Sequence, residues 1–187
     1  MDLEAQDLAA ARIGDRQAFG RLVERHGTLV HRFLCRRCRS AEDAQDLAQE
    51  AFIVAWTRLQ AFDGRSRFTT WLLGIALNLS RDRAGKASSR HEVALDEDVE
   101  RDVVDPSAGP EAQRERQRAL SALQHAIERL PPDLRTTLDL VAFEDLSYDE
   151  VAALLEVPAG TVKSRVNRAR MLLREAVGRQ VIDAWSA

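Results

Sequence analysis

Residues 146–170 read LSYDEVAALLEVPAGTVKSRVNRAR, and this stretch predicts two short helices joined by a tight turn. Ser147 and Glu150 have the three-residue spacing of a capping box, so the first helix starts there. Pro158 suits the first turn of the second helix, where a missing N–H costs nothing. The second helix carries four basic side chains, Lys163, Arg165, Arg168 and Arg170. The pattern is typical of a helix-turn-helix whose second helix enters a DNA major groove.

The two faces of this second helix follow from a rotation of about 100° per residue. Apolar residues recur on one side and form the predicted core face: Val162, Val166, Ala169 and Leu173. The opposite side carries Ser164, Asn167, Arg168 and Met171, with Lys163 and Arg165 on the flanks. We expect the shorter polar side chains and Lys163 to read base edges, and the arginines to bind phosphates. The alternative is an ordinary amphipathic helix whose basic face is simply solvated.

The composition of the chain favours an all-α protein. It has 187 residues, of which 45% are hydrophobic and 5% aromatic, so it can bury a core without many rings. Alanine, leucine, arginine and glutamate dominate, and all four favour helices. No run of β-branched residues alternates with polar residues over the length of a strand.

The net charge of −3 hides an uneven distribution of charge along the chain. Residues 81–90 are basic, whereas residues 91–111 carry a run of acids against Arg101 alone. Glycine, serine and proline accumulate between Lys86 and Pro110, which is typical of a solvated linker. We therefore predict two small helical domains, at residues 1–86 and 113–187, joined by a flexible acidic linker at 87–112.

Neither a membrane segment nor a cofactor site is expected. No apolar run approaches the roughly 20 residues that a membrane span needs, and the N-terminus has acids where a signal peptide needs cations. The predicted location is the cytoplasm. His31, Cys35 and Cys38 share one helical face and make a soft metal site conceivable, but a fourth ligand at motif spacing is missing. The favoured interpretation is that both cysteines fill apolar core positions.

The helix predicted at residues 43–59 has two apolar stripes on roughly opposite sides. One stripe contains Leu47, Ala51, Val54 and Ala55, and the other contains Phe52, Ile53, Trp56 and Leu59 beside Asp46, Gln49 and Glu50. A helix buried at the centre of its own bundle would show this pattern. So would a helix that packs inside on one stripe and docks a partner protein on the other.

The next segment interleaves aromatic and basic residues. It combines the aromatic residues Phe62, Phe68 and Trp71 with the basic residues Arg65, Arg67, Arg81, Arg83, Lys86 and Arg90. Single-stranded nucleic acid needs this combination, because bases stack on rings while cations follow the backbone. The alternative is that the rings are core residues, and for Trp71 that alternative is favoured.

Three segments together resemble the extracytoplasmic-function sigma factors of the sigma-70 family, and the resemblance covers nearly the whole chain. EDAQDLAQEAFIVAW at 42–56 is similar to the family's core-polymerase-binding helix. RFTTWLLGIALNLSRDR at 67–83 is similar to its promoter-melting segment, and LPPDLRTTLDLVAFEDLSYDEVAALLEVPAGTVKSRVNRAR at 130–170 to its C-terminal domain. The family often has glycine in the helix-turn-helix turn, where this chain has Glu156.

The resemblance implies a role for each matching residue. Bacterial core RNA polymerase would be bound by Asp46, Gln49, Glu50, Phe52 and Trp56. The melted minus-ten promoter strand would be bound by Phe62, Arg65, Ser66, Arg67, Phe68, Asn78, Arg81, Arg83 and Lys86. The minus-thirty-five element would be read by Thr161, Lys163, Ser164 and Asn167, with Arg165 and Arg168 on phosphates. The resemblance further implies a stress-response regulator held inactive by an anti-sigma factor, often one anchored in the membrane, and no catalytic activity.

Two other interpretations remain open on the sequence. The chain could be a stand-alone helix-turn-helix regulator whose first half binds a signal or forms a dimer, or an enzyme with an attached DNA-binding domain. Asp46 to Trp56 argues against a lone regulator, which has no reason to place an acidic rim beside exposed aromatic residues. An enzyme lacks support because no nucleophile–base pair, glycine-rich phosphate loop or metal cage is evident in the sequence.

Overall fold

The structure, a computed structural model, describes residues 3–38, 40–88 and 110–177. All regular structure in these ranges is helical, which confirms the all-α prediction. The helices are α1 (Leu3–Arg12), α2 (Arg16–Cys35), α3 (Ala41–Arg58), α4 (Phe68–Ser88), α5 (Pro110–Glu128), α6 (Pro132–Ala142), α7 (Tyr148–Leu155) and α8 (Ala159–Val177). They form two compact units, α1 to α4 and α5 to α8. Most of the predicted linker, residues 89–109, lies outside the described residues.

The first unit is built around α2, which packs against α1, α3 and α4. Asp15 caps the start of α2 through its side chain, and Ser40 caps α3 by accepting a hydrogen bond from the Asp43 backbone N–H at 3.1 Å. The core is apolar and includes Leu22, Val30, Phe33, Leu34, Ala51, Leu59, Leu72 and Leu77. No helix among the described residues has both the length and the apolar character needed to cross a membrane.

Ion pairs attach α1 to α2. Asp7 is buried and accepts hydrogen bonds from Arg21 Nε at 2.8 Å and Arg25 Nη2 at 3.2 Å. The hydrogen bond from Arg21 is the main reason that the pKa of Asp7 lies below its ordinary value. A carboxylate held by two guanidinium groups stays charged at neutral pH, so α1 is fixed by charge as well as by packing.

In the second unit, α8 packs against α5, α6 and α7. Its predicted core face is confirmed, because Val162, Val166 and Ala169 are fully buried and Leu173 nearly so. The core is completed from the facing helices by Leu123, Leu130, Leu134 and Leu138. One side of α8 is therefore committed to packing, and the other side is left to solvent.

The turn between α7 and α8 is made without glycine. The predicted capping box is present at the start of α7: Ser147 Oγ accepts from the Glu150 N–H at 3.3 Å, and the Glu150 carboxylate accepts from the Ser147 N–H at 3.0 Å. Glu156 ends α7 in the left-handed conformation, with φ 55° and ψ 43°. The Val157 N–H then donates to the Ala152 carbonyl at 3.0 Å, as in a helix-ending Schellman bond. Pro158 precedes the first residue of α8 by one position, a small difference from the predicted helix start.

Replacing Glu156 with glycine should stabilise the second unit. A side chain in the left-handed conformation costs about 1–2 kcal/mol, and glycine avoids this cost while losing somewhat more chain entropy. We expect Glu156→Gly to raise the free energy of unfolding by roughly 0.5–1 kcal/mol. Amide hydrogen exchange in α7 and α8 of the full chain measures it. Glu156→Ala keeps the strain and serves as the control; a glycine variant no more stable than the alanine variant contradicts the assignment.

Candidate polymerase and promoter interfaces

The outward face of α8 carries the polar side chains that the sequence predicted there. Lys163, Ser164, Asn167 and Arg168 are all exposed, and Met171 continues the same face with half of its side chain in solvent. The Ser164 hydroxyl donates to the Thr161 carbonyl at 2.9 Å, which leaves its oxygen able to accept a further bond. This face thus offers hydrogen-bonding groups in its centre and cations beside them.

Arg165 differs from the other cations of α8. Its Nε lies 3.4 Å from Asp133 Oδ2 at the start of α6, and the side chain is only 26% exposed. The sequence placed Arg165 on the flank of the recognition face but gave no sign of this partner. In the described conformation its charge is already balanced by a carboxylate, whereas Lys163 and Arg168 lie exposed on the same helix.

A groove of about 530 Å³ lies between α2 and α3 in the first unit. It is lined by Val23, Gly27, Thr28 and His31 of α2 and by Gln45, Ala48, Gln49, Phe52 and Ile53 of α3. Asp46 and Glu50 are exposed on the same helix, α3. The groove contains two of the residues predicted to bind core polymerase, Gln49 and Phe52.

The residues of the second apolar stripe are not equally accessible to a partner. Phe52 is only 8% exposed and Leu59 is buried, so half of the second stripe belongs to the core. Trp56 is half-buried against Phe19, with the ring centroids 4.9 Å apart. Ile53, in contrast, is 64% exposed. Helical periodicity found the stripe, but it could not show that Ile53 would be its accessible member.

Three aromatic rings close the base of the loop between the short 3-10 turn Leu59–Ala61 and α4. Phe62 and Phe68 are buried edge to face, with centroids 5.7 Å apart, and Trp71 packs on both. The expected stacking of a base on Phe62 or Phe68 does not fit this conformation, because neither ring is accessible. The two rings instead hold together the two ends of the loop 63–67.

The loop itself is polar and open to solvent. Gly64 adopts a φ of 76°, a conformation that glycine reaches without strain. Asp63 accepts the Arg65 backbone N–H at 3.0 Å and lies 3.2 Å from Arg65 Nε, while the Arg65 side chain is 90% exposed. Ser66 is half-buried and Arg67 is exposed. Backbone and side chains of 63–67 are therefore the accessible part of the predicted minus-ten segment.

Farther along α4, the predicted DNA-binding residues are divided between two sides of the helix. Asn78 and Arg81, one turn apart, are both exposed. Arg83 instead reaches α3, where its Nη1 lies 2.9 Å from Asp43 Oδ1 and 3.3 Å from the Asp43 carbonyl. Lys86 lies in the last turn of α4, outside the residues whose side chains the structure describes.

Two family models match the chain, one in each unit. "Sigma-70 region 2" matches residues 22–90, and "Sigma-70, region 4" matches residues 120–173. The RNA polymerase sigma-H factor of Pseudomonas aeruginosa is 37% identical over 171 residues, which cover 88% of this chain and 88% of the relative. The SigW factor of Bacillus subtilis is 33% identical, covering 87% and 90%, and the sigma-E factor of Escherichia coli K12 is 34% identical, covering 84% and 85%.

Solved structures resemble the chain in the same way. CnrH, solved in complex with the cytosolic domain of CnrY, aligns with a TM-score of 0.67 at 28% identity, covering 98% of this chain and 99% of CnrH. The sigma factor RpoE of Bartonella quintana, solved with the anti-sigma factor NepR, aligns with a TM-score of 0.64 at 25% identity, covering 86% and 98%. Both similarities extend over most of the sequence rather than over one motif.

The two cysteines lie at the end of α2 and in the turn that follows. Both are half-buried, so the expectation that they fill apolar core positions is wrong. Cys35 Sγ is 3.5 Å from His31 Nε2. Burial, with the nearby Asp43 carboxylate, raises the pKa of the Cys38 thiol to about 11. Within the described ranges, no group of three or more His, Cys, Asp or Glu side chains could hold a metal ion.

Cys38 should therefore react slowly with alkylating reagents. With a pKa of about 11, the thiol is almost fully protonated at pH 8, and only the thiolate attacks. In a Cys35→Ser variant we expect iodoacetamide to modify Cys38 on the order of tenfold or more slowly than an unfolded peptide cysteine. Mass spectrometry over time measures the rate, and addition of denaturant should abolish the difference. Native and denatured rates that agree would contradict a buried, protonated thiol.

Proposed function

The chain belongs to the extracytoplasmic-function group of the sigma-70 family, and on this basis we propose which of its surfaces bind core polymerase and promoter DNA. It is an RNA polymerase sigma factor, a protein of promoter-specific transcription initiation. Its first unit binds core polymerase and the minus-ten strand, and its second unit reads the minus-thirty-five element. The observation that carries the assignment is that one chain holds a groove between α2 and α3, with Asp46 and Glu50 exposed on α3, and farther along an exposed polar face on α8.

The groove between α2 and α3 is the proposed docking site for core polymerase. Ile53 is the exposed apolar anchor, Phe52 forms part of the groove wall, and Gln49 offers an amide beside them. Asp46 and Glu50 are exposed on α3, where they can pair with basic residues of the polymerase. An apolar centre with a charged rim is the usual construction of a specific protein interface. Trp56 supports this surface mainly from inside, by packing on Phe19.

Promoter contacts follow from the exposed polar groups of both units. On α8, Lys163, Ser164 and Asn167 face the base edges and Arg168 binds a phosphate; Thr161 supports Ser164, and Arg165 reaches DNA only by leaving Asp133. In the first unit, the loop 63–67 receives the unpaired minus-ten strand, with Asn78 and Arg81 alongside it. Unstacking a base costs a few kcal/mol, which these contacts and the polymerase offset together.

Control by an anti-sigma factor is part of the proposal. It is supported by a sigma factor of similar fold that was solved with its anti-sigma partner. Such a partner would cover the same surfaces that polymerase and promoter use, and a membrane-anchored one would hold this otherwise cytoplasmic protein at the membrane. The competing function, a stand-alone helix-turn-helix regulator, predicts tight binding of the promoter duplex by the isolated chain, whereas a sigma factor needs core polymerase to do so.

Placing a charge on the lining of the groove should weaken polymerase binding. We expect Ile53→Asp to lower the affinity for core polymerase roughly thirtyfold, the effect of losing a hot spot worth about 2 kcal/mol. The variant should fold normally because Ile53 is exposed. Ile13→Asp is a matched control: the same substitution in the same unit, at a side chain that is 89% exposed and lies outside the groove. Fluorescence titration of labelled protein with core polymerase measures both; equal affinities would refute the docking site.

Asn167 and Arg168, neighbours on α8, should contribute differently to promoter binding. With holoenzyme, Asn167→Ala should reduce discrimination at one base pair of the minus-thirty-five element by about 1–3 kcal/mol. Arg168→Ala should weaken binding to all duplexes alike and lower the salt slope by about 1. Titrations of a set of single-base duplexes at several salt concentrations separate the two effects. If both variants gave the same salt and sequence profiles, the assignment of this face would be wrong.

A further inference from the structure

His26 is a buried polar residue at the point where three helices of the first unit meet. It belongs to α2 and is only 6% exposed. Its Nε2 lies 3.2 Å from Glu4 Oε2 on α1, and its Nδ1 lies 3.4 Å from Thr69 Oγ1 on α4. The ring also packs edge-on against Phe68, with centroids 5.3 Å apart. Both ring nitrogens therefore have partners, and these partners lie on two different helices.

The chemistry of these partners determines which nitrogen carries the proton. A carboxylate only accepts hydrogen bonds, so Nε2 must donate to Glu4. In a neutral ring Nδ1 then accepts, and the Thr69 hydroxyl can donate to it. Burial lowers the pKa of His26 and Arg25 adds to this effect, while Glu4 acts in the opposite direction. The imidazole is thus neutral at physiological pH, with the tautomer that both contacts require.

The position of Thr69 connects this pair of bonds to the loop 63–67. Phe68 and Thr69 are the first two residues of α4 and directly follow the loop. At the other end of the loop, Phe62 packs on Phe68. Whatever fixes Phe68 and Thr69 therefore fixes one end of the loop directly and the other end through the edge-to-face contact of Phe62 with Phe68.

We propose that His26 is a positioning residue for minus-ten recognition: it holds the start of α4, and so the loop 63–67, in the conformation that receives the unpaired strand. This inference rests on the proposed function of the loop. Glu4 orients the imidazole, which gives α1 a role in promoter opening although α1 precedes the matched family region at 22–90. The pairing of Asp7 with Arg21 and Arg25 keeps α1, and with it Glu4, in place.

Conservative variants separate the two bonds of His26. Thr69→Val removes the hydroxyl at nearly constant shape. His26→Asn places an amide near the Nδ1 position and keeps a partner for Thr69, whereas His26→Gln places it near Nε2 and keeps a partner for Glu4. We expect Thr69→Val and His26→Gln to lower the affinity of holoenzyme for the single-stranded non-template minus-ten oligonucleotide roughly three- to tenfold, the effect of one net hydrogen bond. His26→Asn should lose less.

A pH profile provides a readout that a purely structural role would not change. Protonation turns Nδ1 into a donor, so the Thr69 hydroxyl must turn from donating to accepting, and it places a positive charge on a ring that is only 6% exposed. Wild-type strand affinity should therefore be constant from pH 8 to 7 and fall only below the ordinary imidazole pKa of about 6.5. The sign follows from burial, which shifts the pKa of His26 downward. The profile of His26→Gln should lack this fall, because an amide does not titrate in this range.

Controls distinguish failure of this inference from failure of the proposed function. Affinity for core polymerase and for a minus-thirty-five duplex should stay unchanged in Thr69→Val. A loop variant, Arg65→Ala with Ser66→Ala, should lower strand affinity as well. If the loop variant has no effect, the minus-ten role of the loop fails, and this inference with it. If the loop variant weakens strand binding but Thr69→Val and His26→Gln do not, or if they weaken all three affinities equally, only the positioning role of His26 is overturned.

Discussion

The burial of one face of α8 is the constraint on which promoter recognition depends. Val162, Val166, Ala169 and Leu173 pack against α5, α6 and α7. Full burial of a valine or leucine side chain contributes about 1.5–3 kcal/mol. Turning the helix by one residue would expose two valines and bury charged groups. The same apolar contacts that stabilise the second unit therefore fix the direction of Lys163, Ser164 and Asn167. Recognition geometry and domain stability cannot be separated on this helix.

In the first unit, too, buried side chains lie next to the exposed ones that form the accessible surface. In α3, Leu47, Ala51 and Ala55 are buried in the core, while Ile53 lies exposed in the groove. In the loop, the buried rings of Phe62 and Phe68 provide the attachment, and the polar residues between them provide the accessible surface. Buried side chains thus define where each proposed functional surface lies, and we propose that exposed neighbours a residue or two away contact the partner.

Helical periodicity was enough to predict much of this arrangement. It identified the core face of α8 correctly, and the spacing of Ser147 and Glu150 located the start of α7. These are local features, because partners within one turn of a helix are fixed by the chain itself. The left-handed Glu156 shows the limit of such rules, since glycine is the usual residue at this position and the Val157 N–H donates to the Ala152 carbonyl without it.

Contacts between distant residues were not predictable in the same way. Arg83 pairs with Asp43 across 40 residues, and His26 meets Thr69 across 43. A sequence pattern shows that Arg83 is basic and that Phe68 is apolar, but not which neighbour covers or neutralises them. For that reason the sequence overestimated the accessibility of Phe62 and Phe68, and missed both Ile53 as the exposed apolar residue and His26 as a link between helices.

We conclude that these two helical units direct a multisubunit polymerase to defined promoter positions. Run-off transcription with purified bacterial core polymerase, followed by sequencing of the RNA 5′ ends, tests it most directly. We expect discrete start sites downstream of shared minus-thirty-five and minus-ten sequences, which appear only when chain and polymerase are both present. Start sites unchanged by addition of the chain, together with tight promoter binding by the chain alone, would contradict it.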